Sequence, residues 1–320
     1  MRYLETGLWA DVRELPGALR DTLAAAEGVA EAATVLRGAE RIVATGNGAA
    51  YYVAHALWLA SLECRGPVPI VAVPCGIAVR DGFRWQPGDV VLAVSSSGEF
   101  RDVVEIARRS GERPCVAITA DADSSLAAAS TAVVVQRVVS QRAVTHTQAV
   151  AGAYACGLAL LGDAELTALL DTAGDAAEQA VADAEAWVPE VGTPPAAIAV
   201  GGGPAWAAAL ELALMLKEIS RIPAEGVETR EGATSAMFGL DRGHLMVSLD
   251  PEGDPDGDEA VRLCAAAGAT ALRLPRAGDP RLAPITTLPA AAALSAQLAL
   301  AAGHEVDRPA WTDAYYETAR

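Results

Sequence analysis

Short runs of β-branched and aliphatic residues alternate with alanine- and leucine-rich stretches of helical length along most of the chain, and no other feature restricts the fold as much. Strand patterns alternating with helical patterns are the signature of βα units around a parallel sheet. Strands are expected in the first half at 41–45, 70–73, 90–94, 115–119 and 132–135, enough for one doubly wound five-stranded sheet. The second half repeats the plan at 197–200, 226–228, 245–249, 271–274 and 285–288. Between the halves an acidic, alanine-rich stretch over 163–186 predicts a helix that ends before Pro189 and the Gly192-Thr193-Pro194-Pro195 break, the natural domain boundary.

A self-comparison strengthens this division. Gly46-Asn47-Gly48-Ala49-Ala50 and the helix after it match Gly201-Gly202-Gly203-Pro204-Ala205 at a fixed offset of 155 residues. Without a gap the same offset pairs Ala54 with Ala209, Leu57 with Leu212, Leu59 with Leu214 and Glu63 with Glu218. An internal duplication explains the persistence of the offset better than chance, although alanine-rich sequence inflates such matches.

The 320 residues suffice for two domains with cores of their own, and 52% hydrophobic against 20% charged residues predicts packed rather than disordered chain. A formal charge of −17 argues against nucleic acid or an anionic membrane surface as a partner. A small anion is still compatible, because backbone N–H groups at a helix start hold phosphate whatever the net charge. The five cysteines form no C-x-x-C pair and leave one over, so neither a disulfide framework nor a zinc knuckle is supported, and a reducing cytoplasm fits. The N-terminal residues lack the apolar core of a signal peptide. The alanine-rich stretches at 149–162 and 288–302 are shorter than a membrane span and read as buried helices.

Two turns could carry chemistry. Gly46-Asn47-Gly48 follows an expected strand and opens a helix, but Tyr51 stands where a dinucleotide fingerprint would place its third glycine, so a plain strand-to-helix turn competes with a ligand-binding one. Ser95-Ser96-Ser97-Gly98-Glu99 puts three hydroxyls at the end of a strand and the start of a helix, where they form either an anion cradle or an ordinary helix cap. The two readings weigh equally on these residues alone.

A strand, then Ser-x-Ser-Gly-Glu, after a Gly-x-Gly turn, resembles the SIS (sugar isomerase) domain. The run Glu211-Leu212-Ala213-Leu214-Met215-Leu216-Lys217-Glu218-Ile219-Ser220, with Ala224-Glu225-Gly226 after it, is similar to the isomerase portion of glucosamine-6-phosphate synthase and to related sugar-phosphate deaminases and fructosamine deglycases. The resemblance extends from Leu8-Trp9-Ala10-Asp11-Val12 to Gly303-His304-Glu305-Val306-Asp307-Arg308-Pro309. It implies an α/β fold of two tandem SIS domains, each a doubly wound five-stranded parallel sheet flanked by helices. On that plan 1–35 is an N-terminal helical segment, 36–162 the first domain, 163–192 a linker helix, 193–303 the second domain and 304–320 a tail over the sugar site. No glutaminase domain precedes it, so the chain is not expected to take ammonia from glutamine by itself.

The same resemblance implies a sugar-phosphate site built from Gly46, Asn47, Gly48, Ser95, Ser96, Ser97, Gly98 and Glu99, with Arg142, Thr234 and His304 beside it and Glu218 as the acid/base that moves a proton between C1 and C2. On helical spacing alone Glu218 would be a surface carboxylate paired with a neighbouring cation. Several departures are visible. Phe100 replaces a threonine, and Ala49 and Ala50 replace hydroxyl residues, each lost hydroxyl removing a bond worth roughly 1.5–3 kcal/mol to an anion. Thr234-Ser235-Ala236 falls on the His-Gly-Pro that carries a ring-opening histidine, and Ala314 falls on the Schiff-base lysine. Ring opening then falls to Glu231 or His304, or is not needed if the substrate enters open-chain. Among the remaining histidines, His55 and His146 are expected on helices and His244 at a strand start, none with metal-ligand spacing. The expectation is an enzyme of the isomerase, deaminase or deglycase class with no metal and no cofactor, a homodimer with shared sites. A sugar-phosphate sensor without activity is the alternative.

Overall fold

The computed structural model describes residues 3–64, 68–109, 113–187 and 189–319. It forms two compact units. The first comprises Gly17–Val139, Gln148–Gly174 and the residues from Asp313; the second comprises the residues to Pro16, Ser140–Thr147 and Asp175–Thr312.

The first unit begins within α1 (Gly7–Ala25) and continues through α2 (Val29–Arg37) to a sheet of five parallel strands. These are β1 (Arg41–Thr45), β2 (Ile70–Ala72), β3 (Asp89–Val94), β4 (Cys115–Thr119) and β5 (Ala132–Val135), in the order β2-β1-β3-β4-β5. Helices α3 (Ala49–Glu63), α4 (Cys75–Ala78), α5 (Arg101–Arg108), α6 (Ser125–Ala129) and α7 (Gln148–Leu160) accompany them. Every residue of β3 and β4 is buried, which requires helices over both faces of the sheet. On one face Val91, Ala93, Cys115 and Ala117 pack with Val103, Val104, Ile106 and Ala107 of α5 and Leu126 of α6. Helix α5 can therefore be sharply amphipathic, whereas α7 is buried at nearly every position.

Helix α8 (Ala164–Ala186) runs from the first unit into the second, so the contacts divide the chain inside this helix rather than at the Gly192 break. The second unit holds four parallel strands, β6 (Ala197–Gly201), β7 (Ala224–Glu228), β8 (Leu245–Ser248) and β9 (Thr270–Arg273), in the order β7-β6-β8-β9. Its helices are α9 (Pro204–Met215), α10 (Thr229–Thr234), α11 (Pro255–Ala266), α12 (Ala283–Thr286) and α13 (Leu288–Ala301); α14 (Thr312–Ala319) ends the chain.

One expected strand is helical. Residues 285–288 read as a strand because Ile285, Thr286 and Thr287 are β-branched, yet they span the end of α12 and the start of α13, and the second sheet has four strands among the described residues. The reason is local. Thr286 and Thr287 donate their hydroxyls to the carbonyls one turn back, at Leu282 and Ala283, so neither needs a sheet partner for its polar atom. Pro284 and Pro289 each sit in a first helical turn. His146 also departs from expectation, lying in the loop before α7 rather than on a helix. Among the described residues no single helix is long and apolar enough to cross a membrane, and α13 is buried along nearly its whole length.

The glycine turns of the two units share one backbone conformation. Gly48 has φ 54 and ψ −130, and Gly203 has φ 52 and ψ −137. A side chain at these angles is strained by about 1–3 kcal/mol. A Cβ at Gly48 would meet nothing within 4 Å, so strain is the only cost there. Gly48→Ala is expected to lower unfolding stability by about 1–3 kcal/mol in urea denaturation. Gly82→Ala, where the added methyl also meets open space but φ is ordinary, is expected to be near neutral.

Candidate functional site

In the first unit the strand order reverses between β1 and β3, and in such sheets the crevice beyond the carboxyl ends of those two strands is where ligands bind. The segments that leave those ends are Gly46-Asn47-Gly48 and Ser95-Ser96-Ser97-Gly98. Gly46 accepts the Cys75 N–H through its carbonyl, which ties the first turn to the start of α4. Gly48 opens α3 with no side-chain cap, leaving backbone donors at that helix start.

The serine turn combines a cap with a cradle. The buried Ser95 hydroxyl oxygen accepts the Gly98 N–H at 3.2 Å, and that of Ser97 accepts the Glu99 N–H at 3.4 Å. Each hydroxyl keeps its own proton to donate. Ser96 is held through its carbonyl, which accepts the Ala120 N–H at 2.9 Å and the Thr119 hydroxyl at 3.0 Å. Gly98 has φ +64 and lies so close to Ser124 that a Cβ would overlap its hydroxyl. Glu99 accepts both the N–H and the hydroxyl of Ser125, at 2.8 and 2.9 Å, so it caps α6 instead of offering charge to a ligand. Phe100, at the cap position of α5, provides no side-chain oxygen to the first turn of that helix; only its carbonyl accepts there, from the Val103 and Val104 N–H groups.

The matching crevice of the second unit is filled by the protein itself. Its order reverses between β6 and β8, and the chain leaving β8 brings in Asp250, 155 positions after Ser95. Asp250 is buried; one carboxylate oxygen accepts the Gly202 N–H at 2.7 Å and the other the Thr229 hydroxyl at 2.5 Å. A resident carboxylate thus occupies the backbone donor that an incoming anion would need.

Glu218 lies elsewhere in the second unit, where α9 widens into one π-helical turn over Leu216–Ser220. Such turns are costly and concentrate at functional positions. Arg221, with φ 57, ends the turn, and the Ser220 hydroxyl fastens it to the Ser295 carbonyl at 2.7 Å. Burial raises the pKa of Glu218 above the ordinary carboxylate range, opposed by a 3.2 Å hydrogen bond from Thr145 and by the charge of Lys217. Seven residues earlier, Glu211 is fully buried with one oxygen unpaired among the described residues; burial and the neighbouring Glu218 charge push it to about 8.

Thr145 is held in place by its own segment. Buried Asp11 accepts the backbone N–H groups of Arg142 and Ala143, at 2.7 and 2.9 Å, as well as the Ser140 hydroxyl and the Arg142 guanidinium. Glu14 takes the rest of the guanidinium, and Val144 donates to the Asp307 carbonyl at 2.8 Å. The Arg142 charge is therefore balanced by two carboxylates and anchors the loop. Thr234 is exposed and bonds back to the Arg230 and Glu231 carbonyls. Glu231 is exposed, with one oxygen accepting the Ser235 hydroxyl at 3.0 Å. His304 is half-buried and closes α13 through its backbone N–H. Among the described residues none of these three bonds to Glu218, and no group of three His, Cys, Asp or Glu side chains could hold a metal ion.

Residues 35–161 match the SIS domain. The matched stretch encloses the glycine and serine turns just described. No curated protein matches the sequence. Solved structures resemble nearly the whole chain. The C-terminal domain of glucosamine-fructose-6-phosphate aminotransferase from Francisella tularensis is 20% identical with a TM-score of 0.76, covering 95% of this chain and 98% of that one. Glucosamine-6-phosphate deaminase from Thermotoga maritima is 18% identical with a TM-score of 0.78, covering 95% and 98%. Tagatose-6-phosphate ketose/aldose isomerase from Escherichia coli is 17% identical with a TM-score of 0.78, covering 95% of each. At these identities the likeness establishes the fold.

Three residues escaped the sequence reading. Thr145 stood three positions after Arg142, and Glu211 stood two helical turns before Glu218, but only burial and contact give them weight. Asp250 was within reach through the 155-residue offset, which sets it opposite Ser95. Glu211 yields a test. Its folded pKa of about 8 exceeds the ordinary glutamate value, so the folded state binds the extra proton and stability falls as pH rises from about 5 to about 8. Glu211→Gln is expected to remove that slope, to match the native chain near pH 5 and to exceed it by a few kcal/mol above pH 8, at ~1.4 kcal/mol per pKa unit, in denaturation measured across pH.

Proposed function

We propose that the chain is a sugar-phosphate-binding enzyme of the isomerase, deaminase or deglycase class in which Glu218 moves the proton. The observation that carries this reading is a half-buried carboxylate of raised proton affinity, set on a π-helical turn and steadied by Thr145. Interconversion of an aldose and a ketose, or of the imines they form with amines, requires one base that removes a proton from C2 or C1 and returns it to the neighbouring carbon. A carboxylate with its pKa lifted toward neutrality suits both halves of that transfer. The serine turn supplies the anion cradle, with Asn47 and the start of α3 across the crevice. The named neighbours act on sugar phosphates, which supports a phosphorylated sugar derivative as ligand.

The second sheet, in this reading, is a diverged second SIS domain, supported by the shared strand order and by the identical placement of its glycine turn. A homodimer in the cytoplasm completes the proposal, and ring opening falls to Glu231 or His304 or is not required by an open-chain substrate. A binding-only sensor is the second reading, favoured by the exposed position of Glu231 and by Thr234 standing where a ring-opening histidine is expected.

Incubation in deuterated water with fructose 6-phosphate, glucosamine 6-phosphate or a fructosamine 6-phosphate, followed by NMR, separates the two readings. Deuterium is expected at C1 or C2 with at least one of the three, and Glu218→Gln should reduce exchange at least a hundredfold, in line with loss of a general base. Binding without exchange would establish the sensor instead.

A second measurement addresses Thr145. Its hydrogen bond favours ionised Glu218, so Thr145→Val should raise the Glu218 pKa and move the acid limb of the pH–rate profile to higher pH. An unmoved limb with a uniformly lower rate would mean that Thr145 only supports the loop.

A further inference from the structure

We infer that the first unit carries a second anion site, remote from the serine turn, whose ligand is a small phosphorylated metabolite. A cavity of about 500 Å³ is lined by Arg80, Phe83, Trp85, Arg108, Arg109 and Arg113, a volume within the range of small-molecule sites. It lies toward the amino end of β3, next to Val91, whereas the serine turn leaves the carboxyl end of that strand.

Four arginines line it from three separate stretches of a chain whose formal charge is −17. Two of them are immobilised. Arg109 donates to Glu105, to the Val79 carbonyl and to Asp81, and Arg113 lies over the Trp85 ring, 4.6 Å from its centroid. Phe83 meets the same ring edge-to-face at 4.8 Å, so the aromatic floor is fixed as well. The side chains of the other two, Arg80 and Arg108, make no hydrogen bond or ion pair among the described residues. Counting Asp81 and Glu105 against the four arginines still leaves an excess of positive charge.

The α5 dipole accounts for Arg108, in the last turn of that helix, and the Glu105 pair accounts for Arg109. Neither accounts for Arg80, whereas Arg113 is held over the Trp85 ring. Guanidinium forks match phosphate oxygens in pairs, and two unpaired forks beside two fixed ones form an arrangement that a phosphate ester or diphosphate completes. Beyond Trp85 an adjoining cavity of about 600 Å³ presents Gln86 and Thr131, with room for the uncharged part of such a ligand. The overall negative charge disfavours a nucleic acid in this role.

Inorganic pyrophosphate is the probe, titrated into the full chain by calorimetry and by intrinsic fluorescence. Native protein is expected to bind it with a change in tryptophan emission, and Trp85→Phe should abolish that emission change while calorimetric binding persists. The double variant Arg80→Ser/Arg108→Ser should weaken the binding at least tenfold with an unchanged circular dichroism spectrum. Ser96→Ala/Ser97→Ala should leave it intact. The inference is overturned if native protein binds no pyrophosphate at millimolar concentration, if the arginine variant binds as the native chain does, if the serine variant removes the binding, or if the emission change survives in Trp85→Phe.

Discussion

A parallel sheet delivers the loop after every strand to one edge, and that constraint governs where this chain can place a ligand. Its central strands β3 and β4 are buried on both faces and carry helices over both, so the middle of the first sheet offers no open surface to a ligand. Only at the carboxyl edge, and there only where the strand order reverses, do two neighbouring loops part instead of crossing the same face. The glycine turn and the serine turn leave the two strands on either side of that reversal. Gly48 makes this workable. Its positive φ turns the chain at once from strand to helix, so the start of α3, with its exposed N–H groups, stays beside the crevice.

The second sheet shows how one residue can settle the fate of such a crevice. Strand order, turn length and the angles of Gly203 reproduce the first unit, yet Asp250 replaces the serine that opens the cradle. Its carboxylate bonds the Gly202 N–H and the Thr229 hydroxyl and repels any further anion. Those charge-assisted bonds, each worth roughly 1.5–3 kcal/mol, offset part of the cost of burying the charge, and burial still holds the Asp250 carboxyl above its ordinary pKa. The crevice becomes part of the packing. Of the two corresponding loops, the serine turn presents three hydroxyls where the second presents a carboxylate.

Most of the fold was legible because strand identity in a parallel sheet depends on short apolar runs, and β1, β4 and β5 begin and end where the runs do. Reading failed where side-chain chemistry outweighed propensity. Ile285-Thr286-Thr287 has strand composition, but buried threonines that bond back to the preceding turn satisfy themselves within a helix. The candidate site was legible in part. Glu218 and the serine turn follow from local pattern and resemblance. The role of Arg142 does not, since the sequence shows a cation near the expected pocket and cannot show Asp11 and Glu14, some 130 positions away, closing on it. Glu211 was hidden for a related reason: a glutamate on a helix reads as solvated until its burial is known.

That burial bears on which carboxyl can act. Two glutamates seven positions apart on one helix cannot both ionise cheaply in surroundings of low polarity, and the more deeply buried one yields. Glu211, with burial and its neighbour both acting against its charge, keeps its proton near neutral pH. Glu218 has Thr145 and Lys217 to favour its charged form and burial to oppose it. Because Glu211 is neutral, it adds no negative charge to the burial that already raises the Glu218 pKa. The pair thus divides into a proton holder packed inside the helix layer and a carboxylate free to exchange its proton, and only the second of these can serve as the base in an enediol reaction.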